Sequence, residues 1–175
     1  MGYTLEEFCE DHHALLTSGQ PLERALPQIA EKLSDLLRNP DFVAETFNDD
    51  TPIGRRTLHH DPDTDVYVLA HVYEGPKKGS PHNHGASWAV YGTARDVTNM
   101  TEWRRTNPET EEQAVLEPVA NYSLGAGDTR AYGPGVLHST RHPEKAWVIR
   151  VTGTDLDAIQ RYRFRAKTDK IVENA

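Results

Sequence analysis

Gly79-Ser80-Pro81-His82-Asn83-His84-Gly85 begins as a Gly/Ser/Pro turn and delivers two histidines one residue apart. Beyond it, Trp88-Ala89-Val90-Tyr91 reads as the start of a strand. Residues i and i+2 of a strand point to one face, so the spacing predicts that His82 and His84 present both imidazoles to one point. Neutral imidazole is the commonest metal-binding side chain, and a third donor would complete the protein's share of a catalytic site. Gly133-Pro134-Gly135-Val136-Leu137-His138 repeats the pattern, a turn running into a strand, and nominates His138. Nine histidines in 175 residues will sometimes fall at this spacing by chance. Two separate turn-to-histidine segments are harder to obtain that way. A metal site made of His82, His84 and His138 is therefore the expectation.

The remaining histidines read differently. His142 lies four residues beyond His138, about 13 Å along a strand, so the two cannot share an ion. The pairs His12-His13 and His59-His60 point to opposite faces of a strand or diverge on a helix, and are expected at the surface. His71, in Val66-Tyr67-Val68-Leu69-Ala70-His71-Val72-Tyr73, shares a face with Tyr73. It lies in the pocket if that face is interior, and in solvent if not.

Size and composition suit one domain over 1–175, long enough to bury a core without disulfides. Hydrophobic residues are 37% and charged ones 26%, which is ordinary for a globular protein. No apolar run approaches the roughly 20 residues of a membrane span, so no membrane partner is expected. The acidic start, Met1-Gly2-Tyr3-Thr4-Leu5-Glu6-Glu7, lacks the basic and apolar regions of a signal peptide. Glu6 also stands where a myristoylation signal at Gly2 would carry Ser or Thr. A net charge of −8 argues against nucleic acid as the main partner. The stretch Arg161 to Lys167 is a local exception, whose alternation reads as a two-faced strand with Tyr162 and Phe164 on one side. The single cysteine, Cys9, excludes an intrachain disulfide and fits a reducing cytoplasm; its helical context suggests packing.

The first third reads as helical. Leu5, Phe8, Cys9, His12, Leu15 and Leu16 recur at helical spacing, with Thr4 as N-cap and Gly19 as stop. Leu22, Leu26, Ile29, Leu33, Leu36 and Leu37 predict a second helix ending before Asn39-Pro40, with Pro27 early enough to be accommodated. A short helix is expected over Asp41 to Phe47. From about Arg55 the texture changes to short runs divided by Gly, Pro, Asn and Asp. Strands are expected near 55–60, 65–73, 86–94, 96–105, 114–120, 121–124, 128–131, 136–140, 146–152 and 160–168. Many short strands at such spacing indicate a sandwich or barrel. The fold expectation is thus mainly β, a barrel over 50–168 with a helical cover over 1–48.

At this level of detail the chain resembles the cupin superfamily, whose domains are jelly-roll barrels, or double-stranded β-helices. Gly79 through Gly92 is similar to the first cupin motif, and Gly127 to His138 to the second. The glutamate that many cupins carry after the second histidine is replaced by Trp88 or Ala89, leaving three histidines and no carboxylate ligand. A three-histidine cupin preceded by helices resembles the thiol dioxygenases, the cysteine dioxygenase family. That resemblance implies ferrous iron on His82, His84 and His138, with open positions for a substrate thiolate and dioxygen. It also implies an arginine upstream of the pair as the substrate-carboxylate clamp, and Arg56 falls at the matching distance. A guanidinium forks onto a carboxylate with two parallel hydrogen bonds, which suits the role.

Departures from the family are specific. The cysteine that crosslinks to tyrosine in the animal enzymes aligns with Ala89. The family's Ser-His-Tyr set aligns with Val148, Arg150 and Thr152, which share one face of their strand. Tyr91 and Tyr132 are then the candidate hydroxyls. An inward Arg150 would favour an anionic substrate or demand an acidic partner. Three functional classes follow: a non-haem iron oxygenase converting a small carboxylate-bearing thiol to a sulfinate, a non-redox metal-dependent isomerase or lyase, and a non-catalytic binding barrel. The donor set alone also accommodates Zn, Ni, Cu or Mn.

Overall fold

Thr4 caps the first helix, α1 (Leu5–Thr17), in a capping box with Glu7, in the computed structural model, which describes residues 2–111 and 113–164. α2 (Leu22–Leu37) follows, starting after Pro21 and carrying Pro27 within its second turn. Asn39 caps α3 (Pro40–Thr46) through a bond from the Asp41 amide to its side chain, and Pro40 occupies the first helical position. α2 buries Leu26, Ile29, Leu33, Leu36 and Leu37, the face its spacing predicts.

Among the described residues nine strands come next: β1 (Gly54–Asp61), β2 (Val66–Tyr73), β3 (Lys77–Lys78), β4 (Ala89–Arg95), β5 (Thr98–Arg105), β6 (Leu116–Leu124), β7 (Thr129–Tyr132), β8 (Leu137–His142) and β9 (Ala146–Thr152). They form two antiparallel sheets, ordered β1-β2-β9-β4-β7 and β3-β8-β5-β6. From β2 to β5 and from β6 to β9 the chain changes sheet at every connection, as a jelly roll requires. The expected strands at 114–120 and 121–124 are one strand, β6; no turn interrupts its pairing with β5. The expected turn over 75–79 contains the short β3, which closes the edge of β8. Of the expected strand at 160–168, Arg163 bridges His82, while 165–168 lie outside the described residues.

The first sheet has two dissimilar faces, as β9 predicts. Ile149 and Val151, with Val66, Val68, Ala70, Val72 and Val90, pack against Ile29, Leu33 and Leu36 of α2 and Phe8 of α1. Ala89, Tyr91, Tyr132 and Val148 face the other way, toward Met100 and Leu124 of the second sheet. Ser34 donates to the Gly127 carbonyl at 2.6 Å and Thr129 to the Ala30 carbonyl at 2.8 Å, pinning α2 to the β7 end of the sheet. Among the described residues no helix is long and apolar enough to cross a membrane.

The expectation of surface histidines at 12, 13, 59 and 60 fails for one of them. His12 is 0% exposed, because it occupies the apolar stripe of α1 rather than its wet side. Its neighbour His13 reaches Asp61 at the end of β1, with Nδ1 2.7 Å from the carboxylate. Burial pushes the Asp61 carboxyl up, but bonds from Thr64, His13 and the Asp63 amide outweigh it and hold the carboxyl well below the usual range.

Leu33→Ala would open a cavity between α2 and the sheet, and should cost about 2–5 kcal/mol in urea unfolding, since Leu33 is fully buried. Asp61 has a depressed pKa in the folded state. Its stabilisation is present above the unfolded pKa of about 4 and is lost as the pH falls toward the folded value. The stability gap between wild type and Asp61→Asn should therefore narrow as the pH drops below about 4. A gap that stayed constant into acid would remove Asp61 from the pH dependence.

Candidate metal centre

His82 and His138 sit opposite each other in an isolated antiparallel bridge and exchange both backbone hydrogen bonds, each 2.9 Å. Directly opposed residues put their side chains on one face, so this pairing sets the third imidazole beside the first. His84 joins them from a turn rather than a strand: Asn83 accepts from the Gly85 amide, and Ser87 bonds back to the His84 carbonyl. Gly85 has φ +59°, and a Cβ there would fall 2.3 Å from the Gln160 carbonyl, so the turn needs glycine.

The ring centroids of His82, His84 and His138 are 4.6 to 5.4 Å apart, and one ring nitrogen from each lies within 4.8 Å of the others. His84 and His138 are buried. The Nδ1 atoms of His82 and His138 lie 3.0 Å from the Ser80 carbonyl and 3.3 Å from the Val136 carbonyl. A carbonyl can only accept, so Nδ1 carries the proton and Nε2 is left with its lone pair. His138 Nε2 is buried without a hydrogen-bond partner, which costs about 1–3 kcal/mol unless something accepts that lone pair. Burial, then the neighbouring histidines, push His84 down to about 2; burial and His82 bring His138 to about 3; burial also lowers His82. All three rings are neutral at physiological pH and fit a divalent metal. No carboxylate among the described residues joins the cluster.

Register fixes what surrounds the cluster. His71 opposes Val148, which opposes Thr93, and Leu69 opposes Arg150, which opposes Tyr91. These positions face the barrel interior, so the open question about His71 resolves inward. His71 is buried beside Tyr73, its Nε2 unpartnered, and burial together with Arg150 and Arg55 drives it down to about 2. Arg150 also faces inward; its Nε is buried with no partner, and it forms no ion pair among the described residues. The Tyr91 hydroxyl lies 3.2 Å from His84 Nε2, so of the two candidate hydroxyls it is the one at the cluster.

Arg56 is not there. It opposes Ala70, on the face toward the helices, and its guanidinium donates to the Thr46 carbonyl at 2.8 Å. The strand period of two puts its neighbour on the other side: Arg55 opposes His71 and pairs with Asp157 at 2.8 Å. Arg161 holds the second oxygen of Asp157 at 2.8 Å. His142 stacks on Tyr73 and approaches the Thr98 hydroxyl, away from the cluster.

One supporting group escaped the sequence reading. Glu102 of β5 opposes His138 and accepts from Tyr122 at 2.8 Å and from Arg130 at 2.6 Å. The Tyr122 hydroxyl is 2.6 Å from that of Tyr132, whose ring stacks on His138 at 4.1 Å. The chain from Glu102 to His138 depends on strand pairing, and no local motif announces it.

Strand order, the inward histidines and the two turn-to-histidine segments agree. The fold is a double-stranded β-helix, a jelly-roll barrel. Comparisons with known proteins bear on the same question. No family model matches the chain. The 26S proteasome regulatory subunit 4 homolog of Encephalitozoon cuniculi is 26% identical over 162 residues, 91% of this chain, which spans 35% of that protein's length. An uncharacterized protein with a double-stranded β-helix domain from Klebsiella pneumoniae aligns over 70% of this chain and 88% of its own, at 15% identity and TM-score 0.45. A cupin-2 domain protein from Shewanella frigidimarina covers 65% and 90%, at 16% and 0.44. Hydroquinone 1,2-dioxygenase PnpCD, in complex with Cd2+ and 4-hydroxybenzonitrile, covers 63% and 69%, at 12% and 0.48. At these values the functional argument rests on the geometry of this chain's own site.

His84→Ala should lose most of the iron bound by protein purified with that metal, whereas His60→Ala, on the exposed side of β1 beside Asp65, should keep it. Metal analysis of the two variants checks the assignment, and equal content in both would refute it.

Proposed function

We propose that this chain is a mononuclear non-haem iron oxygenase of the thiol dioxygenase type, acting on a small thiol that carries an acid group. The observation that carries this reading is the convergence of three imidazoles, two of them buried and one half-buried, beside an inward-facing, half-buried arginine that has no ion pair among the described residues. His82, His84 and His138 would hold ferrous iron, with no negative ligand to offset its charge. Ferrous iron, when bound, supplies the redox step that lets dioxygen react with a thiolate.

The residues of the chain do the rest. Arg150 offers the donor that a substrate carboxylate would satisfy, and its charge is felt at His71, His82, His84 and His138 alike. Arg55 adds positive potential from the neighbouring strand but is already engaged by Asp157. Asp157 also holds Arg161, which keeps a second cation close to His84. The Tyr91 hydroxyl supplies a donor next to His84, in place of the family's missing tyrosine. Burial of His84, His138 and the Arg150 Nε limits water beside the metal position, which strengthens the pull of Arg150 on an anionic thiolate.

The stoichiometry is self-contained. Both atoms of dioxygen form bonds to sulfur, the sulfur gives up the electrons that reduce them, and the thiolate becomes a sulfinate. No external reductant enters, and no proton need be supplied.

An oxygen electrode with a panel of small thiols tests the reading: oxygen uptake should match sulfinate formed, and anaerobic turnover would transfer the site to Lewis-acid chemistry. Arg150→Ala should raise KM for a carboxylate-bearing thiol roughly tenfold or more while leaving an uncharged thiol of similar length nearly unaffected. Arg56→Ala should change neither. An equal effect of Arg150→Ala on both thiols would discard the clamp.

A further inference from the structure

Across the first sheet from the three-histidine site, α1 lies against β1. Cys9 and His12 are three residues apart and share a face of the helix. The register shift between Thr57 and His59 breaks the β1 alternation and turns His59 toward them. The Cys9 sulfur and one ring nitrogen each from His12 and His59 lie within 4.8 Å of one another. The two imidazole centroids are 6.1 Å apart.

His12 gives this cluster its meaning. It is completely buried, and neither Nδ1 nor Nε2 has a hydrogen-bond partner. An imidazole carries a donor and an acceptor, and a histidine retained for packing alone would ordinarily satisfy at least one. Cys9 and His59 also line a cleft of about 720 Å³, together with Glu6, Glu10 and the His13–Asp61 pair. The setting is sulfur and two imidazoles, with Glu6 and Glu10 on the cleft wall.

We propose that Cys9, His12 and His59 form a second metal site, independent of the barrel, for a divalent transition ion of the zinc class. Thiolate with imidazole selects borderline-soft ions over magnesium or calcium, and three protein donors leave a fourth position open toward the cleft. Binding replaces the Cys9 proton with the metal, and the released proton goes to solvent. Thiolate charge and the nearby Asp61 carboxylate offset that of the ion. The site would tie the helical cover to the outer strand of the barrel.

Cys9 is the only cysteine of the chain, so a thiolate-to-cobalt charge-transfer band reports this site alone, whatever occupies the barrel. Titrating Co(II) into the reduced protein should give that band, which should saturate and be bleached by Zn(II). His59→Ala should weaken cobalt binding, read from the band, by roughly tenfold or more, and His84→Ala should leave it intact. In the wild-type protein, Zn(II) should also slow alkylation of Cys9 by iodoacetamide. Absence of the band, unchanged cobalt affinity in folded His59→Ala, or alkylation indifferent to zinc would each overturn the proposal.

Discussion

Two backbone hydrogen bonds between His82 and His138 organise this molecule. They join the loop after β3 to the start of β8, and side chains at opposed positions must then share a face. The same loop receives residues 162–164: Asn83 donates to the Tyr162 carbonyl and the Phe164 amide donates to Pro81. His82 is thus held between two partners at the backbone level, and its ring position is a consequence of main-chain pairing. His138 is held in turn by its stack on Tyr132 and by the Glu102 network behind it.

Burial governs what those rings can be. Water is scarce around His84 and His138, so protonation is costly and both stay neutral far into acid. Neutrality leaves a lone pair on each ring, and the Ser80 and Val136 carbonyls choose which nitrogen carries it for His82 and His138. The chain as a whole carries −8, yet cations gather near the three histidines: Arg150 has no ion pair among the described residues, and Arg55 and Arg161 share one aspartate.

Local chemistry made much of this legible. Gly and Pro marked the turns, the period of two assigned both faces of β9, and helical spacing placed α1 and α2 within a residue or two of their bounds. Failures came where a residue's fate depends on a partner far away in sequence. Arg55 and Arg56 are adjacent, and only the pairing of β1 with β2 says which faces His71. Glu102 reaches His138 only because β5 pairs with β8. His12 is a different case: it falls in line with Leu5, Phe8, Leu15 and Leu16, and its place on that apolar stripe already indicated burial.

The two histidine clusters show one rule with two outcomes. A buried imidazole has to place a proton and a lone pair somewhere other than water. In the barrel, backbone carbonyls take the proton side of His82 and His138, and the convergence of the remaining nitrogens leaves a gap that a single cation would satisfy for all three at once. In α1, His12 has neither side satisfied by the protein, while a thiol and a second imidazole stand within ligand range of it. Replacing either set with apolar side chains would remove the cost of the unpaired atoms and improve the core. Unpaired atoms also occur at Thr93 Oγ1 and Trp147 Nε1, where no metal-binding donors converge; convergence, and not the unpaired atom alone, is what separates a site from an imperfection of packing.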